Sequence, residues 1–252
     1  MALPLGTGEP MASIWAGDRQ RRFYLLLGAT GLVAIAIGFS TTYVIPMAER
    51  RLHVPPIVHL HGLAALMWVL LLVVQASLVR STQTGLHMIM GRGALPLAIF
   101  IWFSGISTGI WAARRDIPSQ GLTASASLLG TVTGLSIFLT LAIAAVWQRR
   151  RPDWHKRLIG LATIALLWPA FFRWRHLLPM VPRPEIVFAL LLADAPILVA
   201  ALRDKVRYGR IHPVWLYGGP ALFIEQATET FLFESGSLAW RQLGRWLFAL
   251  LS

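Results

Sequence analysis

Gly121 to Trp147 reads GLTASASLLGTVTGLSIFLTLAIAAVW, a stretch of 27 residues without a charged side chain. A helix of about 20 apolar residues spans the ~30 Å hydrocarbon core of a bilayer, so this segment is long enough to cross a membrane. Barrel strands are excluded because apolar and polar residues alternate along them, whereas this run is uniformly apolar. The stretch therefore predicts a transmembrane helix in an all-α fold.

The rest of the chain has the same character. Hydrophobic residues make up 56% of it and charged residues 13%, as expected for a protein whose main partner is the lipid bilayer. The loops are short, so neighbouring helices are expected to pack antiparallel in one polytopic membrane helical bundle. About seven transmembrane helices are predicted: Phe23–Pro46, Pro55–Val79, Gly91–Ala113, Gly121–Trp147, Arg157–Trp174, Ile186–Leu202 and Pro213–Phe233.

The two ends of the chain differ from this transmembrane domain of residues 23–233. Residues 1–22 contain Pro, Gly and Glu9 and have no basic segment before a hydrophobic one, which predicts a flexible tail and no cleaved signal. Residues 234–252 set Leu and Trp against Arg241 and Arg245. That pattern predicts an amphipathic helix in the membrane interface.

Charge and cysteine usage limit the possible functions. The net charge is +12, but the basic residues cluster at helix ends and loops, which favours lipid headgroups over nucleic acid as their partners. Of the 23 Lys and Arg residues, 14 lie on the side of the N-terminus, which predicts a cytoplasmic N-terminus and an outside C-terminus. The chain has no cysteine, so thiolate metal sites, iron–sulfur clusters and Cys-anchored haem are excluded.

Three histidines begin the three helices that start on the predicted cytoplasmic side. They are His87, His155 and His212, and they can share one depth in the membrane. Neutral imidazole is a common ligand of haem iron, zinc, iron and copper, so the three are predicted cofactor ligands. The alternative is that they are interface residues that meet lipid phosphates.

On the outer side, His61, Trp68 and Gln75 recur at intervals of seven residues in the second span. This spacing keeps them on nearly one face, and a polar stripe on an apolar helix is expected to face the bundle interior. All three are predicted to contact a cofactor. His59 lies two residues from His61, so the two imidazoles point to different neighbours.

The seventh span adds two acids at a similar depth. Glu225 and Glu229 are four residues apart on one helix face, and Arg173 lies near the outer end of the fifth span. Buried acids in lipid are usually paired or functional. His59, His61, Glu225 and Glu229 are predicted metal ligands, and Arg173 is a predicted cofactor contact. A network of structural ion pairs is the alternative.

Four short motifs carry a resemblance to a known family. They are His59-Leu60-His61-Gly62, Leu86-His87 with Gly91, His155-Lys156-Arg157-Leu158 and Ile211-His212-Pro213. With Trp68 and Gln75 they resemble a widespread family of bacterial multi-span membrane proteins without an assigned activity, from the second span to the seventh. Met88 departs from it, because members usually have a basic residue there. The resemblance implies a shared fold in the bacterial inner (plasma) membrane, which would make the outside C-terminus periplasmic.

A weaker similarity is to cytochrome b561-like proteins, which hold haem b between histidines of different helices. His87 and Gly91 match the His-x-x-x-Gly spacing found there. The favoured prediction is a membrane redox protein that binds haem b, or another His-ligated metal, and exchanges electrons with a quinone-type partner. A non-catalytic subunit or assembly partner of a larger respiratory or photosynthetic complex is the first alternative. A metal-dependent enzyme with zinc, iron or copper on three histidines, and a transporter that uses Asp194, Glu225 and Glu229, are the others.

Overall fold

A computed structural model describes residues 11–252, with side chains from Arg22 onward, and between those bounds the chain is helical without a strand. The predicted tail, residues 1–22, begins outside the described residues, and the first helix starts at Met11. The helices are α1 (Met11–Phe39), α2 (Ile45–Ala48), α3 (Pro56–Arg80), α4 (Thr84–Gly91), α5 (Ala94–Gln120), α6 (Leu122–Trp147), α7 (Pro152–Phe172), α8 (Ala193–Tyr208), α9 (Gly219–Glu234) and α10 (Leu238–Leu251).

In the part of the chain that the structure describes, six helical segments are long and apolar enough to cross a membrane. They coincide with the first six predicted spans, which makes this a multi-pass membrane protein of the predicted all-α class. The segments are Arg22–Ala48, Pro56–Arg80, Thr84–Gln120, Leu122–Arg150, Pro152–His176 and Glu185–Tyr208. The seventh predicted span also forms a helix, but it is less apolar because it carries Glu225, Gln226 and Glu229.

Helix α7 lies at the centre of the bundle and contacts α1, α6 and α8. Two apolar clusters surround it. The first holds Trp68, Phe138 and Phe171 near one end of the bundle, and the second holds Leu161 and Trp215 toward the other. The first end, where α6 begins and α9 ends, is called here the His61 end, and the opposite one the His155 end.

Glycines permit the closest helix contacts. A Cβ on Gly38 of α1 would run into the carbonyl oxygen of Ala170 in α7. A Cβ on Gly105 of α5 would lie 2.5 Å from the side chain of Leu135 in α6, and one on Gly109 would also be crowded by α6. Because lipid is as apolar as leucine, close backbone approach of this kind is a main source of helix association in membranes.

Three stretches of the bundle have wider, π-helical turns. They are Ser40–Val44, Glu185–Leu192 and Val214–Gly218. Each precedes a proline by two to four residues, namely Pro46, Pro196 and Pro220. Proline removes a backbone donor and its ring crowds the carbonyl four residues earlier, so the turn before it widens. Widened turns of this kind are frequent at functional sites.

The predicted amphipathic C-terminal helix forms as α10 and crosses the start of α6. The hydroxyl of Ser237 caps it by accepting from the backbone N–H of Trp240. At Gly244 the two helices nearly touch, since a Cβ there would lie 2.6 Å from the carbonyl oxygen of Ser125. Trp246 remains exposed on the outward face. The sequence predicts the helix, but the packing of α10 against α6 follows from this glycine contact.

Candidate functional site

A cavity of about 430 Å³ lies at the His61 end, between α3, α6, α7, α9 and α10. Its apolar wall includes Phe39, Leu166, Phe172 and Leu222. Exposed lining residues, among them Phe233, mark where it opens to the surroundings. This volume lies in the range of small-molecule binding sites.

His61 lies in the lining with a defined tautomer. Its Nδ1 is 3.2 Å from the hydroxyl of Ser104, and that hydroxyl donates its proton to the carbonyl oxygen of Phe100 at 2.6 Å. The Ser104 oxygen therefore accepts from an Nδ1–H, which leaves the Nε2 of His61 as a hydrogen-bond acceptor. The ring fits against α5 because Gly105 has no side chain there.

Glu225 and Glu229, predicted to be close to His61 in depth, line the same cavity. The hydroxyl of Thr133 in α6 donates to the carboxylate of Glu229, and the carboxyl groups of Glu225 and Glu229 lie within hydrogen-bonding reach of each other. Gly130 provides the room, since a Cβ there would lie 3.2 Å from a Glu229 oxygen. The two acids therefore place their carboxyl groups in the same part of the lining.

Four buried polar atoms of the lining have no hydrogen-bond partner among the described residues. Two are donors, the indole N–H groups of Trp168 and Trp240, and two are acceptors, Oε1 of Glu225 and Oε1 of Gln226. An unpartnered buried polar atom is costly, so such atoms gathered in one cavity indicate a ligand with complementary groups. Trp168, Gln226 and Trp240 escaped the sequence analysis because their sequence neighbourhoods carry no motif.

Arg173 also lines the cavity, as its predicted depth suggested. Its guanidinium lies over the ring of Phe39, 4.4 Å from the centroid, and donates to the carbonyl oxygen of Pro169 at 2.9 Å. It forms no ion pair with any carboxylate in the described part of the chain. Part of its donor capacity is therefore available to a ligand.

The four predicted metal ligands do not come together as one set. His59 is hydrogen-bonded to Tyr43, in the π-helical stretch after α1, and is absent from the cavity lining. Among the residues described, no group of three or more His, Asp or Glu side chains is placed to hold a metal ion. His61, Glu225 and Glu229 share the cavity as separate hydrogen-bonding groups.

The polar stripe of α3 faces neighbouring helices, but only His61 reaches the cavity. The indole N–H of Trp68 donates to the hydroxyl of Thr163 in α7 at 3.1 Å. The side-chain amide of Gln75 lies against His87: with its nitrogen facing that residue, it donates to the His87 carbonyl oxygen at 3.1 Å. Trp68 and Gln75 thus join α3 to its neighbours, in contacts separate from the cavity.

The three histidines of the His155 end are engaged by different partners. His87 contacts Gln75, and the Nδ1 of His155 lies 2.8 Å from the carbonyl oxygen of Ala145. The Nε2 of His212 lies 3.4 Å from a carboxylate oxygen of Asp153, while its Nδ1 accepts from the backbone N–H of Val214 at 3.2 Å. These bonds hold α4, α7 and the turn before α9 against their neighbours.

Haem b held between two helices requires two imidazoles that face one cavity. The cavity at the His61 end has one imidazole in its lining, that of His61. The lining therefore does not fit a haem held by two histidines. Haem b, zinc, iron and copper stay predictions from the sequence.

Two further acids, Asp204 and Asp194, are buried in the bundle. Asp204 of α8 accepts two hydrogen bonds from Arg157 of α7, at 2.7 and 2.9 Å, a pair between residues far apart in the chain that no sequence motif predicts. Asp194, a predicted functional candidate, is buried, and neither of its carboxylate oxygens has a described partner. It interacts electrostatically with Glu225 across the α8–α9 contact.

No protein-family model matches this chain, and no curated protein or solved structure matches it either. The resemblance drawn from the four histidine motifs therefore stays a prediction.

Proposed function

We propose that the protein binds a quinone or quinol in the cavity at the His61 end. The observation that carries this proposal is the presence of two free indole donors and two free acceptors in one cavity that also has an apolar wall. A quinone ring is apolar and bears two carbonyl acceptors. Its quinol form bears two hydroxyl groups, which both donate and accept.

The free donors and acceptors of the lining suit the quinone and the quinol in different ways. The N–H groups of Trp168 and Trp240 donate to the ring oxygens in either form. Glu225 and Gln226 accept from the hydroxyl groups, which only the quinol has, and the Nε2 of His61 is a further acceptor. Stacking on the tilted Trp168–Phe172 pair, whose centroids are 5.1 Å apart, holds the ring.

The surroundings also favour a ligand that arrives through the lipid. Six apolar helices place the bundle in a bilayer, and the cavity has an exposed margin. Quinones dissolve in the hydrocarbon core, so they reach such a cavity without crossing water. A subunit or assembly partner of a respiratory or photosynthetic complex would also bind a quinone. The proposal is therefore compatible with that predicted role.

Tryptophan fluorescence tests the proposal on the full-length protein in detergent. Decylubiquinone is expected to quench the emission saturably, because Trp168 and Trp240 would contact it. The double variant Trp168→Phe/Trp240→Phe should lose the saturable part, and Trp147→Phe should keep it, since Trp147 is 83% exposed at the other end of α6. Quenching that is linear in quinone, or equal in both variants, would reject the proposal.

Glu225→Gln separates the two redox forms. The carboxylate accepts a hydrogen bond only from the quinol, and a charge-assisted bond of this kind contributes roughly 1.5–3 kcal/mol. We therefore expect affinity for the quinol to fall about tenfold and affinity for the quinone to change little. Equal losses for both forms would show that Glu225 does not contact the ring hydroxyls.

A second candidate is an organic cation, because four glutamates line the cavity: Glu185, Glu225, Glu229 and Glu234. Carboxylates and aromatic faces together recognise protonated amines and quaternary ammonium groups. Tetraphenylphosphonium decides between the two. Saturable binding of this cation that decylubiquinone does not displace would favour cation binding, and displacement by the quinone would favour the quinone site.

We further propose that the membrane is the bacterial inner membrane, with a cytoplasmic N-terminus and a periplasmic C-terminus. The bias of Lys and Arg supports it, with 14 of the 23 on the N-terminal side. Alkaline phosphatase fused after Ser252 should be active, because that enzyme folds only in the periplasm. Activity of a cytoplasmic reporter at the same position would show that the protein has the opposite orientation.

A further inference from the structure

Basic side chains crowd around one buried carboxylate at the His155 end of the bundle. Arg157 and Asp204 form a close ion pair whose side chains are 4% and 0% exposed. The Nη1 of Arg203 lies 3.6 Å from the same carboxylate, and Lys156 interacts electrostatically with Arg157 and Arg203. Asp204 therefore neutralises one of its cationic neighbours and leaves an excess of positive charge.

Two guanidinium groups of this cluster have donors without acceptors. The Nη2 of Arg203 and the Nε of Arg207 are buried, and neither has a hydrogen-bond partner among the residues described. The other nearby carboxylate, that of Asp153, lies against His212. Buried charged donors without acceptors are costly, so the arrangement is complete only when an anion supplies the acceptors.

An aromatic ring lies beside each of the two guanidinium groups. Arg203 lies over Phe23 of α1, 5.2 Å from the ring centroid, and Arg207 lies over Tyr208 at 5.6 Å. A cation–π contact of this kind restricts the rotamers of a long side chain, so less conformational entropy is lost when the donors meet a ligand. The two arginines are thereby positioned before any anion arrives.

The location indicates a lipid as the source of the anion. Arg203 and Arg207 lie in the last turns of α8, at the end of a predicted membrane span, where headgroups are expected. Exposed apolar side chains continue from there along α8: Leu198, Val199, Leu202 and Val206. A phosphate on the arginines would place its acyl chains along this face.

We propose that Arg203 and Arg207, with Lys156, bind the phosphate of an anionic phospholipid between the end of α8, α1 and the start of α7. The phosphodiester oxygens accept from the free guanidinium donors, and the apolar face of α8 carries the acyl chains. A zwitterionic headgroup binds less well, because its ammonium group meets the same cationic cluster. This site is at the opposite end of the bundle from the His61 cavity and is independent of the quinone proposal.

Native mass spectrometry of the full-length protein in detergent tests the site, with dioleoylphosphatidylglycerol and dioleoylphosphatidylcholine as probes. Phosphatidylglycerol should stay bound at detergent concentrations that remove phosphatidylcholine. In Arg203→Gln/Arg207→Gln its affinity should fall about tenfold or more, because both donors to the phosphate lose their charge. The matched control is Arg149→Gln/Arg150→Gln, which removes the same charge from exposed positions at the same end and should retain the lipid.

The alternatives give different results. Equal losses in both double variants, or equal retention of the two lipids, would overturn the proposal in favour of diffuse electrostatic attraction. Inorganic phosphate that raises the melting temperature as much as phosphatidylglycerol would also overturn it, by showing a site for a free anion. Since Arg203 contacts Asp204, the single variant Arg207→Gln is measured too. It forms no described ion pair, should fold normally and should lose part of the lipid affinity.

Discussion

Arg157 of α7 and Asp204 of α8 form an ion pair with two hydrogen bonds, and both side chains are buried. A third bond, from Arg157 to the carbonyl oxygen of Asp153 at 2.8 Å, ties the pair to the start of α7. Because the remaining lone pairs and donors are largely satisfied, the arrangement fixes how the central helix meets α8. Removal of one partner leaves an uncompensated charge away from water.

Asp204→Asn should be strongly destabilising for that reason. Loss of one partner of a buried pair costs about 3–5 kcal/mol, and chemical unfolding in mixed micelles measures the change. The exposed pair of Glu49 and Arg51 is the control, and Glu49→Gln should alter the unfolding free energy little. In the double variant Arg157→Met/Asp204→Leu most of the stability should return. A double variant as unstable as the single one would show that the charges themselves are required.

The bond between Trp68 and Thr163 joins α3 to the central helix. Thr163→Val removes the acceptor and leaves the indole N–H buried, so we expect a loss of about 1 kcal/mol in unfolding free energy. Trp68→Phe in the Thr163→Val background should cost less than it does alone. Additive losses in this double-mutant cycle would contradict a direct coupling.

Two glycines give a matched pair of substitutions. Gly38→Ala places a methyl group against the carbonyl oxygen of Ala170, so α1 and α7 must separate, and a loss of about 1–3 kcal/mol is expected. Gly134 lies along the cavity with open space around it, and Gly134→Ala should leave the melting temperature unchanged or raise it, because alanine favours a helix over glycine. Equal losses for the two variants would show that the contact with Ala170 does not set the effect, since alanine by itself favours a helix over glycine.

Acid should lower the stability that His212, in the loop before α9, contributes to the fold. Burial first, and then the charge of Arg157, hold the pKa of the His212 imidazole below its usual value, against the opposing effect of Asp153. The folded state favours the neutral ring, whose Nδ1 accepts from Val214. The stability that His212 contributes is therefore present above the unfolded-state pKa of about 6.5 and is lost as the pH falls through the lower folded-state value.

The measurement is the melting temperature between pH 7.5 and pH 5. It should fall more steeply in the wild-type protein than in His212→Gln, which has no proton to gain at this position. Asp153 and Asp204 face the same region, so the difference between the two profiles is the quantity that reports on His212. Parallel profiles would exclude His212 as the group responsible.

Part of the candidate site could be predicted from the sequence. His61, Glu225, Glu229 and Arg173 were expected at one depth, because rise per residue along a helix fixes the depth of each side chain. The structure brings these four to one cavity. His59, also a predicted metal ligand, contacts Tyr43, in agreement with the prediction that a side chain two residues from His61 points to a different neighbour.

Other members of the site had no sequence signal. Trp240 reaches the cavity only because Gly244 lets α10 lie on α6, and Trp168 and Gln226 look like ordinary residues of apolar helices. Likewise no feature of the sequence indicates that Arg157 pairs with Asp204, because the two residues are 47 positions apart. Such contacts depend on how helices rotate and approach each other.

The sequence by itself determined that this chain crosses a membrane as an all-α bundle, since uncharged runs such as Gly121–Trp147 have no other stable arrangement in lipid. It also determined the depth of each polar side chain. The tertiary structure alone decided which helices face each other, and so which polar atoms are paired and which remain free in the cavity. Depth follows from position along one helix, whereas pairing follows from contacts between small residues, such as Gly38 and Ala170, on helices far apart in the chain.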